Sequence, residues 1–170
     1  NRIREIAPEN KTTSFKFTAL GYQEEAKDAD GRRTISKRDY SATGWTDTSV
    51  VFLKYNDTRT FANIDLTTYT PSANDDIIVT SRESDLVGNA LRSVDGNGNE
   101  TVNVYDAMNG LAFTTLPAVA DYDDNNAVTN PTVLVHRNKN RQVVAKQDAR
   151  GNWTTIKYDS MLRPWETIVE

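Results

Sequence analysis

The chain has 170 residues, 37% hydrophobic and 26% charged, with a formal net charge of −4 and no cysteine. That length can bury a sizeable core, but the negative mean hydropathy suits thin layers with solvated faces better than a helical bundle. There is no basic stripe to neutralise phosphates, so nucleic acid is not an expected partner. Disulfides and thiolate metal sites are excluded, and no apolar run is long enough to span a bilayer. The opening residues Asn1-Arg2-Ile3-Arg4-Glu5 carry neither an initiator methionine nor a hydrophobic signal core, as expected of a processed product or an excerpt.

Along the chain, three segments align without gaps, 18–39, 85–106 and 138–159, which makes residues 1–170 a single repeat segment with inserts at 40–84 and 107–137. In the first copy Asp28 is followed by Gly31, Thr34 and the closing Asp39, with Arg38 before it. The first insert has strand-like runs at 48–55 and 59–66 on either side of Asn56-Asp57, which predicts a hairpin there. The second copy repeats the offsets with Asp95, Gly98, Thr101, Tyr105 and Asp106. In the second insert, Leu111 to Leu116 is expected to pair with Thr132 to His136 around a polar loop from Asp121 to Pro131.

The third copy shows the physics of one unit: Arg141 to Gln147, the turn Asp148-Ala149-Arg150-Gly151-Asn152, then Trp153 to Tyr158 and Asp159. An aspartate opens a type I turn because its carboxylate accepts backbone N–H groups two residues on. Glycine then takes the left-handed position at little steric cost. The result is a short hairpin loop with a bulge. The two-residue period places Thr154, Ile156 and Tyr158 on one face of the second strand and Trp153, Thr155 and Lys157 on the other. A second turn follows at Asp159 to Arg163, as at Asp106 to Gly110. The fold class is therefore all-β, a meander of antiparallel hairpins, and no helix is expected.

The run Asp148 to Asp159 resembles the signature of the YD-repeat (Rhs-repeat) family, an Asp/Gly/Asn turn followed by Thr and then Tyr-Asp. Asp95-Gly96-Asn97-Gly98-Asn99 with Tyr105-Asp106 is similar, and Phe17-Thr18-Ala19-Leu20-Gly21 and Ser84-Asp85-Leu86-Val87-Gly88-Asn89 are degenerate versions. The family includes bacterial Rhs polymorphic toxins, insecticidal toxin-complex components, wall-associated proteins and teneurins. The resemblance implies a strip of a hollow β-shell, enclosing an effector in the toxins. It also implies, as partners, the remainder of a larger YD-repeat polypeptide or complex and a toxin cargo. The Asp-Pro core motif associated with self-cleavage is absent from this chain, so autoproteolysis and a toxin domain are not carried over.

Tyr105 and Tyr158 read as packing residues between hairpins. Trp153 and Trp45 are the candidate ligand aromatics, for a glycan or cell-wall polymer, together with Asp121, Asp123 and Asp124 of the polar loop. That loop reads either as a solvated acidic turn or as a cation site. Asp95 to Glu100 superficially resembles a calcium loop, but the position needing glycine holds Glu100. With one histidine, His136, and no nucleophile elbow or phosphate loop, the sequence offers no catalytic residue, no cofactor site and no multi-histidine metal site. The expectation is a non-enzymatic structural segment of a secreted or cell-surface assembly, with an adhesion module as the alternative.

Overall fold

Turn-forming residues recur every ten or eleven positions through each aligned copy, between short runs of β-branched and aromatic residues, so the chain folds back on itself before any run can reach another partner. The computed structural model describes residues 2–6, 12–54, 56–64, 66, 69, 76–121 and 127–170, with backbone alone for 2–6, 121 and 127. Strand order is the order of the chain, β1 to β9 followed by β12 to β15 in one open sheet, with β10 and β11 forming a separate two-stranded ribbon. Two compact units divide the chain, Asn1–Val87 with Val94–Gly98, and Gly88–Ser93 with Asn99–Glu170.

The first unit holds β1 (Arg2–Ile6), β2 (Thr12–Phe17), β3 (Gln23–Lys27), β4 (Arg33–Ser41), β5 (Gly44–Phe52) and β6 (Ile77–Asp85), each antiparallel to the one before. Here the first sequence copy departs from the other two. β4 and β5 are nine-residue strands paired from Arg33↔Phe52 to Ser41↔Gly44. Asp39 therefore lies within β4, opposite Thr46, with its carboxylate 2.8 Å from Lys37 Nζ, and opens no turn. At Gly44 a Cβ would sit 1.8 Å from the Ser84 carbonyl oxygen, so only glycine lets β5 and β6 close at that end.

The hairpin predicted across Asn56-Asp57 does not form. Phe61–Asn63 is a single 3-10 turn, and the strand beside β5 is β6, with Phe52 opposite Ile77 and Gly44 opposite Asp85. The reason is geometric: Phe61 and Ile64, three apart, would point to opposite faces of a strand but share a face once the chain makes a helical turn. There they pack with Tyr69 and Val79 against Ile35, Val50, Phe52 and Ile77, the buried apolar core. An ionic clasp fixes this segment. Arg59 binds the carboxylate of Asp57 and, at 2.7 Å, that of Asp76, while the guanidinium groups of Arg33 and Arg59 lie 5.5 and 5.4 Å from the centre of the Phe52 ring.

The second unit holds β8 (Glu100–Tyr105), β9 (Leu111–Thr115), β12 (Thr132–Arg137), β13 (Val143–Gln147), β14 (Trp153–Tyr158) and β15 (Pro164–Val169), with the ribbon of β10 (Val119–Asp121) and β11 (Ala127–Thr129). β7 (Ala90–Val94) precedes β8 in the strand order. β9 pairs with β12 as the sequence predicts, Phe113 opposite Leu134 and Thr115 opposite Thr132. Among the described residues of this unit none is fully buried; the buried ones, Ile35, Gly44, Val50, Phe52, Ile77 and Ser84, all lie in the first unit.

Two outcomes follow for chemical denaturation. Phe52→Ala removes the most enclosed ring and is expected to cost about 3–5 kcal/mol. Leu162, a non-glycine residue at φ 63°, is held where an L side chain meets backbone, so Leu162→Asn is expected to raise stability by about 1 kcal/mol.

Candidate functional site

The recurring feature of the chain is a five-residue turn whose opening side chain closes it. In the third copy Asp148 Oδ1 accepts the N–H groups of Arg150 at 2.9 Å and Asn152 at 3.0 Å, and Gly151 N–H donates to the Asp148 carbonyl at 3.0 Å. Gly151 has φ +89°, the left-handed position that a type I turn with a bulge requires. Asp28 repeats the pattern on Asp30 and Arg32, and Asp95 binds Asn97 N–H at 2.9 Å. Asp106 binds Met108 and Gly110, and Asp159 binds Met161 and Arg163.

The turns the sequence offered only as copy boundaries belong to the same class. Asn138 accepts from Asn140 and Gln142, Thr18 Oγ1 from Tyr22, and Asp85 Oδ1 from Val87. Three of the left-handed positions are not glycine: Asn109 at φ 59°, Arg141 at 64° and Leu162 at 63°. Their signal in the sequence is register alone. Phe17-Thr18, Tyr105-Asp106, Arg137-Asn138 and Tyr158-Asp159 each put the last strand residue before a turn opener, and the strand register shifts at each of these places.

The repeat tyrosines tie strands through their hydroxyl groups. Tyr105 donates to the Ala90 carbonyl at 3.2 Å and Tyr158 to the Val143 carbonyl at 2.9 Å, each fifteen residues back at the start of the neighbouring strand. The position is half-buried in both. The first copy has Arg38 there instead. Its guanidinium binds Asp47 through Nε at 2.6 Å and Nη2 at 2.8 Å and lies 4.4 Å from the Tyr22 ring centre and 5.0 Å from that of Trp45. Trp45 Nε1 donates to the same carboxylate at 3.2 Å. A hydrogen bond from Tyr40 favours the ionised form of Tyr22, and Arg38 adds to it. An ion pair has replaced the tyrosine tie.

The candidate ligand residues are described each within its own unit. Trp45 belongs to the first unit and Trp153 to the second. The Trp153 ring is half-buried and stacks on His136, with ring centres 5.7 Å apart and planes 26° apart. Asp121 lies in β10 with backbone pairing to Ala127, and Asp123 and Asp124 lie outside the described residues. Of the threonines, Thr154 lies opposite Lys146 in β13 and Thr34 opposite Ala26 in β3, while Thr101 lies within β8. In the calcium-like segment the Asp95 carboxylate is engaged by Asn97 N–H, and Glu100 forms a two-point pair with Arg92 at 2.7 and 2.8 Å. Among the described residues no three His, Asp or Glu side chains are grouped to hold a metal ion, and no helix is long and apolar enough to cross a membrane.

No protein-family model and no curated protein matches the chain. Solved structures with similarity to it include the crystal structure of TcdB2-TccC3-Cdc42, 12% identical over 98% of this chain and 10% of that one, with a TM-score of 0.45. Another is TcdB2-TccC3, 13% identical over 99% of this chain and 11% of that one, also at 0.45. A third is a Tc holotoxin pore from Photorhabdus luminescens, 14% identical over 99% of this chain and 10% of that one, at 0.43. The chain spans about a tenth of the length of these chains.

The turn geometry fixes the acid response. Backbone N–H donors hold Asp106 (from Gly110, then Met108) and Asp159 (from Arg163) below the usual carboxylate range, and the Asn152 side chain does the same for Asp148. Burial works against ionisation of Asp76, but Arg59 outweighs it; Arg59 also lowers Asp57. Groups depressed in the folded chain stabilise it fully above the ordinary carboxylate range and lose that contribution as pH falls through their lowered values. Urea midpoints are expected to be flat above about pH 5 and to fall below about pH 4. Asp148→Asn keeps an acceptor oxygen, as Asn138 does naturally, so it should flatten part of the acid limb without opening the turn.

Proposed function

We propose that this chain is a structural segment of a YD-repeat shell, a wall that encapsulates or presents a toxin or effector, as part of a larger secreted or cell-surface repeat polypeptide or complex. One observation carries the reading: the second unit keeps its strands in order with self-closing turns and tyrosine ties while no described residue in it is fully buried. A globular enzyme draws its rigidity from a core that positions a cleft. A sheet with two half-covered faces and locally closed turns can be extended by adding hairpins, which is what a wall requires.

The reading assigns no catalysis to the repeat residues. The carboxylates of Asp28, Asp95, Asp106, Asp148 and Asp159 accept backbone N–H groups within their own turns, so their recurrence has a structural cause. Limited proteolysis of the native polypeptide that carries this chain, read by mass spectrometry, tests the wall. A protected internal segment is expected, and it should become cleavable when Gly98→Val and Gly151→Val break two turns. If no segment is protected in the parent polypeptide, the shell reading fails.

A further inference from the structure

Turns at one margin of the second unit are stitched to one another by side chains, and one gap among them is left open. Gln142 Nε2 donates to the Leu162 carbonyl at 2.8 Å, joining the 138–142 and 159–163 turns, and Asn89 Nδ2 donates to Asn109 Oδ1 at 3.3 Å. Between the 106–110 and 138–142 turns there is instead a cleft of about 490 Å³. Ala107, Met108, Ala112 and Val135 give it apolar walls, and Arg137 and Arg141 give it positive charge. Arg137 is spent on the Leu111 carbonyl and lies 3.8 Å from Asp106. Arg141, held at φ 64°, makes no direct ion pair among the described residues, though its charge reaches Asp106, which also lines the cleft.

The chain also presents what would fill this cleft. The 85–89 turn carries Leu86 and Val87, each 70% exposed. Two residues before its opener stands Glu83, exposed and without a cationic partner among the described residues. Two other apolar tips are poorer matches: beside Ala19-Leu20 the carboxylate of Glu24 is already paired with Lys16 at 3.1 Å, and beside Met161-Leu162 that of Asp159 with Arg163 at 2.8 Å. Sister turns show that the second and third turn positions accept polar residues, Ser160 at the second and Asn97 and Asn140 at the third. The turn itself therefore gives no reason for Leu86 and Val87.

The geometry points to a docking surface for a second copy of this chain, in which the Leu86-Val87 tip of one copy enters the cleft of another and Glu83 meets Arg141. Apolar tip meets apolar walls, and an exposed anion meets the cation that remains in excess once Asp106 is shared between Arg137 and Arg141. The contact is smaller than the roughly 800 Å² per partner of a standard interface, so association is weak and scales with concentration. The surface stands independently of the shell reading.

Sedimentation equilibrium of the whole chain up to about 1 mM, where weak association becomes visible, tests it. Leu86→Ser with Val87→Asn should weaken association about tenfold or more while circular dichroism stays unchanged. Glu83→Arg and Arg141→Glu should each weaken it about tenfold. The two variants mixed, or both changes in one chain, should return it towards the parent value. A parent that stays monomeric throughout the range overturns the proposal. So does association that none of these variants alters, the result expected of pairing through open sheet edges, and so does a charge reversal that is not rescued by its partner.

Discussion

A single short interaction organises this chain: the side-chain oxygen of a turn opener accepting the N–H groups two and four residues ahead. Asp148 makes both bonds within 3.0 Å, and Asp28, Asp106, Asn138 and Asp159 make the same pair. At a hairpin tip those amides face water and would otherwise be free to exchange partners. With an opener in place the turn closes on itself, the fourth residue is driven to positive φ, and the bulge that follows fixes register. Each hairpin is thus specified by residues within reach of one another, whatever surrounds it.

That local closure explains where the core sits. In the second unit the turns alone keep the strands short and the faces half-covered. In the first unit the meander is broken at Asp39, which stays within β4 and lets two nine-residue strands form. Longer strands offer a wider face, and Phe61, Ile64 and Tyr69 pack on it, sealing Phe52. Arg33 and Arg59 flank the same ring, so the Asp57–Arg59–Asp76 clasp and the core stabilise each other. Departure from the repeat is what makes a core here.

The parts of the fold legible in the sequence were those whose chemistry is local. Asp28, Asp95 and Asp148 with Gly31, Gly98 and Gly151 declare their turns, and the pairing of β9 with β12 follows from two apolar runs on either side of a polar loop. The segment from Phe61 to Leu66 was misleading because a short apolar run fits either period, and only contact with Phe52 decides between them. Arg141 and Leu162 hid their left-handed backbone because neither is glycine. Arg38 reads as a lost tyrosine until Asp47, Tyr22 and Trp45 are seen around it. For the ligand aromatics, sequence supplied the rings but not their neighbours: the stack of Trp153 on His136 crosses β13 and leaves no trace in spacing.

Site-resolved amide hydrogen exchange measures the central interaction directly. The third residues of the turns, Asn97, Met108, Asn140, Arg150 and Met161, have exposed side chains at loop tips, yet each donates its N–H to an opener at 2.9 Å. These tip amides should be protected in the native chain, and Asp148→Ala should remove protection at Arg150 and Asn152 first. Tip amides that exchange at the rate of an unstructured chain, or protection at Arg150 that survives Asp148→Ala, would contradict the account.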